Sequence, residues 1–256
     1  MKTRRPTTFP ARSTGARRGR RAPGPRRLVL TLLIALAGVV VAALYMMIGR
    51  GGSGAIAVLR TADFHALAFS PDDPDVVFFG HHNGIMRSDD GGRTWRVVVE
   101  QRNFDAMGLA VNHASPRQMF LAGHDIFQVS RDGGTSWQPV AHNLPGTDIH
   151  GFAMSPDDPN RLYAFVVGFG VFRSTDGGQT WAQLSDRLPG DVMALAAAGG
   201  NPETLSAGSM RAGALRSTDG GRTWEPTANG LPSPMVLTLA IDPAARRTVY
   251  AGIDGG

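Results

Sequence analysis

The stretch Ser88-Asp89-Asp90-Gly91-Gly92-Arg93-Thr94-Trp95 decides the fold, because the chain writes it four times. It returns as Ser130-Arg131-Asp132-Gly133-Gly134-Thr135-Ser136-Trp137, as Ser174-Thr175-Asp176-Gly177-Gly178-Gln179-Thr180-Trp181 and as Ser217-Thr218-Asp219-Gly220-Gly221-Arg222-Thr223-Trp224. These phrases hold all 4 tryptophans of the 256-residue chain, at steps of 42, 44 and 43 residues. A fixed period in the forties marks a repeat architecture, and its length suits one four-stranded propeller blade.

The rest of each period agrees. Apolar runs enter proline turns at Ser70-Pro71-Asp72-Asp73-Pro74, Ser155-Pro156-Asp157-Asp158-Pro159 and Asp242-Pro243, with weaker copies at Ser115-Pro116 and Asn201-Pro202. Short strand-forming runs follow, such as Val76-Val77-Phe78-Phe79 and Leu162-Tyr163-Ala164-Phe165. One repeat therefore reads as strand A, proline turn, strand B, Gly-rich turn, strand C, Asp-Gly-Gly turn and strand D. Four repeats are complete over residues 61–256, and strands A and B of a fifth end the sequence. Residues 55–60 could supply one outer strand to that blade and would leave it a strand short, so the expectation is either a five-bladed propeller with an incomplete blade or a truncated fragment of a longer chain.

Within the repeated phrase, the Asp carboxylate is expected to accept backbone N–H groups, the second Gly to take a positive φ, and the Ser and Thr hydroxyls to bridge the strand ends. The Trp is expected to pack the turn against its blade. Ser88, Asp90, Gly92, Thr94 and Trp95 are structural on this reading. So are Ser130, Asp132, Gly134 and Trp137, then Ser174, Asp176, Gly178, Thr180 and Trp181, and finally Ser217, Asp219, Gly221, Thr223 and Trp224.

This pattern resembles the BNR, or Asp-box, family of β-propellers, whose members include sialidases, xyloglucanase-like glycoside hydrolases, sortilin-type receptors and photosystem II assembly factors. The resemblance covers residues 61–256. Three boxes match fully, and the second carries Ser136 where Thr is usual. The resemblance implies the fold, an all-β propeller, and leaves activity open, because family members range from enzymes to binding scaffolds.

Residues 1–27 hold nine Arg, one Lys and no acidic residue. Leu28 to Ile48 is an uncharged, mostly apolar run of 21 residues. A helix of that length spans ~30 Å, the thickness of the bilayer core. The run is longer than a signal-peptide core, and its basic flank precedes it, so the expectation is an uncleaved single-pass anchor in the plasma membrane. The tail 1–27 would then be cytoplasmic, 49–60 a linker, and the propeller extracytoplasmic. Beyond residue 50 the charges are fifteen Arg against twenty-one Asp and Glu, a net of −6. That acidic balance removes the support for a nucleic-acid role. The chain has 0 cysteines, hence no disulfide framework. Heavy arginine use beside a single lysine points to a GC-rich bacterial genome.

Up-and-down connectivity places the proline turns and boxes on one face and the D–A and B–C connections on the other. The D–A connections read Asp63-Phe64-His65, Asp105-Ala106-Met107, Asp148-Ile149-His150 and Asp191-Val192-Met193, at steps of 42, 43 and 43 residues. His81, His82 and His124 lie in the B–C turns of the same face. Asp63, His65, His81, His82, Asp105, Met107, His124, Asp148, His150, Asp191 and Met193 therefore make up the candidate binding face. Three uses are open to it: strand capping and packing between blades, recognition of a protein or glycan, or a metal site. His65 and His150 with Met107 and Met193 would favour copper, whereas His with Asp would suit zinc. No other cofactor is expected.

A sialidase-like site needs an arginine cluster, a tyrosine and acidic partners. Arg87, Arg173 and Arg216 recur at one strand C position, and Tyr163 and Tyr250 at one strand B position, so all five read as structural. A glycosidase needs two carboxyl groups about 5 to 9.5 Å apart, for which Asp63 and Asp148 are the nominees. The expectation is a membrane-anchored binding or scaffold module for a protein or envelope glycan. A glycoside-hydrolase-like enzyme is the alternative, and a His/Met metal-binding propeller the second.

Overall fold

The structure is a computed structural model that describes residues 58–254, apart from positions 62 and 228. The basic tail, the predicted anchor at 28–48 and most of the linker lie outside the described residues. No helix among the described residues is long and apolar enough to cross a membrane.

The first sheet comprises β1 (Ala66–Phe69), β2 (Val77–His81), β3 (Gly84–Ser88) and β4 (Arg96–Glu100). The second holds β5 (Asp105–Val111), β6 (Met119–His124), β7 (Ile126–Ser130) and β8 (Gln138–Pro139). The third holds β9 (Ile149–Met154), β10 (Leu162–Val166), β11 (Gly170–Ser174) and β12 (Ala182–Ser185). The fourth holds β13 (Val192–Gly199), β14 (Thr204–Ser209), β15 (Gly213–Ser217) and β16 (Glu225–Pro226). Each is an antiparallel meander in chain order, and β17 (Val236–Ile241) pairs with β18 (Val249–Ile253) as a two-stranded fifth sheet. Four full blades and a partial fifth are therefore present. Of the candidate closing strand, residues 55–57 lie outside the described residues and 58–60 form no strand, and β17–β18 has no third partner among the described residues. Leu67 and Phe69 on the first sheet and Leu237, Val249 and Tyr250 on the last are exposed.

The second strand of each full blade is buried almost throughout, because blades stack face to face and cover both of its sides. That is why these strands read as continuous apolar runs and not as alternations. Phe120 and Phe127 of the second blade pack with Phe152 and Trp181 of the third, while Tyr163, Phe165 and Val171 of the third pack with Leu195, Leu205 and Leu215 of the fourth. The outer strands β8 and β16 have two exposed residues each, which keeps the open edges short.

The box is a carboxylate-centred turn. In the first copy the Ser88 hydroxyl donates to Asp90 Oδ1 at 2.8 Å, and Thr94 donates its backbone N–H to Oδ1 and its hydroxyl to Oδ2. Both hydroxyls thus converge on the Asp, where a bridge between strand ends was expected. Asp132, Asp176 and Asp219 repeat the pattern, with the Ser136 hydroxyl standing in for Thr at 2.6 Å. These donors hold the Asp90, Asp132 and Asp176 carboxyls down at about 2, and Asp219 lower still. Both glycines of every box have positive φ. A further hydrogen bond joins each box to its own proline turn: Gly91 to Asp75, Gly133 to Arg117, Gly177 to Asn160 and Gly220 to Glu203. That contact fixes boxes and proline turns on one face. Trp181 packs across the gap, its ring 5.7 Å from Phe127 of the preceding blade, so it joins two blades rather than serving its own alone.

Candidate functional site

The opposite face carries a cluster of imidazoles and carboxylates from three blades. Strand pairing builds it. Asp105 opens β5 and pairs with His124 at the end of β6, and a bridge on the other side joins His124 to Asp148 of the third blade. The turn that follows is fixed at Asp125, whose φ of 57° is left-handed. Asp125 donates its N–H to the Thr147 carbonyl, and the Thr147 hydroxyl donates back to its carboxylate. His150 is the extra residue of a β-bulge, since Ile149 and Gly151 pair with consecutive residues of β10. Bulges re-aim side chains in this way. Met107 and Met193 sit at the equivalent register shifts in β5 and β13.

Asp105 is the centre, only 2% exposed. His65 Nε2 lies 2.9 Å from its Oδ1, while His82 Nδ1 and His124 Nδ1 lie 3.1 and 2.5 Å from its Oδ2. A carboxylate accepts hydrogen bonds, so His124 carries its proton on Nδ1 and presents the Nε2 lone pair. That atom lies 2.9 Å from His150 Nε2 and 3.3 Å from Asp148 Oδ1, and the latter two are 3.2 Å apart. Among the described residues, Asp148 Oδ1 and His150 Nδ1 are buried here without a well-aligned hydrogen bond, while His65 Nε2 and Asp105 Oδ1 face each other at 2.9 Å. Buried polar atoms left in this state call for an explanation. Burial lowers the pKa of His65 and of His150 against the opposing pull of Asp105 and Asp148 respectively, which favours neutral imidazoles.

The other nominated residues go elsewhere. His81 is buried in β2, stacked 5.9 Å from Phe79, and accepts from the Asn83 N–H. Asp191 accepts from the Ser209 hydroxyl at 2.6 Å and pairs with exposed Arg211 at 3.2 Å. Asp63 groups with His65 and His82, whereas Asp148 groups with His124 and His150, so the nominated hydrolase carboxylates fall into separate clusters. His65 and His150 divide in the same way.

Two features escaped the sequence reading. Tyr163, taken as a packing residue, donates its hydroxyl to Glu203 Oε2 at 2.9 Å, and Arg161 donates to the same oxygen at 3.1 Å. Glu203 stands four residues after the end of strand A, with nothing in its neighbourhood to mark it. The second is a cavity of about 420 Å³ on the proline-turn side, walled by inner-strand residues of all five sheets, among them Leu67, Leu109, Phe152, Ala196 and Leu239. The repeats of small and apolar residues in strand A are its only sequence trace.

The four boxes, their hydrogen bonding and the blade meanders define the class: the chain is a β-propeller of the BNR, or Asp-box, type. The family described as "Sortilin, neurotensin receptor 3" matches residues 125–233. No curated protein matches the chain. Among solved structures it is similar to the GH74 enzyme of Niastella koreensis, with a TM-score of 0.60 and 19% identity over 78% of this chain and 34% of that one. It is also similar to YCF48 from Cyanidioschyzon merolae, with a TM-score of 0.54 and 17% identity over 78% of this chain and 67% of that one. A structure of YCF48 bound to D1 peptide gives a TM-score of 0.54 and 19% identity over 77% and 62%. The chain thus spans about a third of the GH74 enzyme, and these likenesses concern the fold.

Proposed function

We propose that this protein is a membrane-anchored, extracytoplasmic propeller that binds a polypeptide segment of a partner protein at the face built on Asp105, His124, Asp148 and His150. The observation that carries the reading is the gathering of imidazoles and carboxylates from three blades on that face, with His82, His124 and Asp148 partly exposed. The peptide-bound YCF48 structure supports it by fold likeness. The apolar run Leu28–Ile48 behind an arginine-rich tail supports the anchor and its orientation.

A binding role is favoured over hydrolysis because the nominated carboxylates Asp63 and Asp148 belong to separate histidine groups. The tyrosine best placed beside an acid, Tyr163, is enclosed at 1% exposure.

The test is photo-crosslinking in cells with a reactive amino acid replacing His82 on the candidate face, or His113 among the proline turns. Discrete protein adducts from position 82 alone support the reading. Binding on a glycan array without protein adducts moves the ligand to a glycan, and hydrolysis that vanishes with Asp63→Asn and Asp148→Asn replaces the reading by an enzyme. Orientation is read by placing one cysteine at exposed Gln138 in this cysteine-free chain. Labelling of whole cells by an impermeant maleimide is expected, and its failure would overturn the extracytoplasmic placement.

A further inference from the structure

We propose that His124, Asp148 and His150 form a binding site for a divalent transition-metal cation of the zinc type, clipping the second blade to the third. The proposal goes beyond partner binding and stands without it. Its ligand atoms are His124 Nε2, His150 Nε2 and Asp148 Oδ1, with separations of 2.9, 3.3 and 3.2 Å. Ligands about 2.0–2.2 Å from a tetrahedral zinc ion lie roughly 3.3 Å from one another, so the three atoms are spaced as such an ion requires.

Hydrogen bonding joins only part of the arrangement, since one proton can lie between His124 Nε2 and His150 Nε2. Asp148 Oδ1 is buried 3.3 and 3.2 Å from two imidazole nitrogens without a well-aligned hydrogen bond to either, and His124 Nε2 turns a lone pair towards the same point. A proton on His150 Nε2 can serve only one of its two neighbours, so His124 Nε2 and Asp148 Oδ1 still converge as electron-rich atoms 3.3 Å apart, and a cation at the centre would hold all three. The donor set of two imidazoles and a carboxylate, in a chain with 0 cysteines, selects zinc and its divalent neighbours over soft copper(I).

Asp105 completes the device. Its contact with His124 Nδ1 fixes the tautomer and ring plane that aim Nε2 at the ion, the support that metal-bound histidines usually receive. Asp105 is therefore a positioning residue and not a ligand. The neighbouring group of Asp63, His65 and His82 differs, because His65 Nε2 and His82 Nδ1 already face Asp105. His124 and Asp148 are 43% and 48% exposed, which leaves the fourth coordination position open to water or to a carboxylate from a partner.

The experiment titrates the chelator-treated full chain, purified in detergent, with Co²⁺ and follows visible ligand-field absorption, then displaces Co²⁺ with Zn²⁺ and records the thermal melt. Expected are one equivalent of bound ion, an upward shift of the melt with Zn²⁺, and loss of the cobalt spectrum in His124→Ala, His150→Ala and Asp148→Asn. Asp105→Asn should keep the spectrum while weakening affinity about 10- to 100-fold. His113→Ala should change nothing. Asp148→Asn alters a half-exposed side chain with no other partner, so it reads the site even where a histidine variant fails to fold. Absence of binding at micromolar Co²⁺ or Zn²⁺, or binding that survives all three ligand substitutions, would overturn the proposal.

Discussion

Tyr163 of the third blade donates its phenolic hydroxyl to Glu203 of the fourth at 2.9 Å, inside a seam where both side chains are almost fully buried. Burial and the facing carboxylate push the Tyr163 hydroxyl well above its ordinary range. The folded-state value lies above the unfolded one, so the contribution is present below about pH 10 and is lost as pH rises through the folded value. Spectrophotometric titration should show one tyrosine that ionises only as the protein unfolds in alkali. Tyr163→Phe leaves Glu203 with Arg161 alone and should cost about 1–3 kcal/mol in urea unfolding. A neutral result would make this pair incidental.

The box aspartates predict an acid limit. Asp90, Asp132 and Asp176 are held at about 2 by hydrogen bonds from hydroxyl and backbone donors. Folded values below the unfolded ones mean that the contribution is present above about pH 4 and disappears as pH falls towards 2. Chemical denaturation from pH 5 to pH 2 should show steadily falling stability, with a shallower fall in Asp176→Asn. An identical slope in that variant would place the acid sensitivity elsewhere.

Histidine burial predicts an earlier, smaller loss. His142 packs 5.8 Å from Phe127, and His81 is buried in β2, and burial lowers both below 6.5. The unfolded chain binds protons first, so stability declines as pH falls from 6.5 through the folded values. Imidazole proton shifts in NMR should titrate below 6.5 for His142, and His142→Phe should flatten the stability profile in that window.

Trp181→Ala should cost about 3–5 kcal/mol, because it empties a seam shared by two blades. Trp95 is only half-buried and lies beside Phe79 of its own blade, so Trp95→Ala should cost less. Equal costs measured by urea denaturation would contradict a role for Trp181 across the seam.

Gly178 and Gly190 form a matched pair. A Cβ on Gly178 would stand 2.5 Å from the Phe127 ring at a φ of +88°, whereas one on Gly190 meets nothing within 4 Å. Gly178→Ala should destabilise by about 1–3 kcal/mol from overpacking, with left-handed strain added. Gly190→Ala should be neutral or slightly stabilising, and thermal melts of both variants check the contrast.

The sequence by itself determined the repeat, the strand order within a blade and the separation of faces. Those follow from local chemistry: a carboxylate, two glycines and two hydroxyls within eight residues close the same turn wherever they occur. The step of 42 to 43 residues also brought Asp105, Asp148 and His150 to one face, because equal spacing along the chain becomes equal height in a ring. Tertiary structure alone decided which of those residues touch. Asp105 and Asp191 occupy equivalent positions, yet one gathers three imidazoles and the other takes Ser209 and Arg211. The difference lies in what the adjacent blades present across the seam, and contacts between residues some twenty to forty positions apart leave no local pattern to read. The same reason hid the bond from Tyr163 to Glu203.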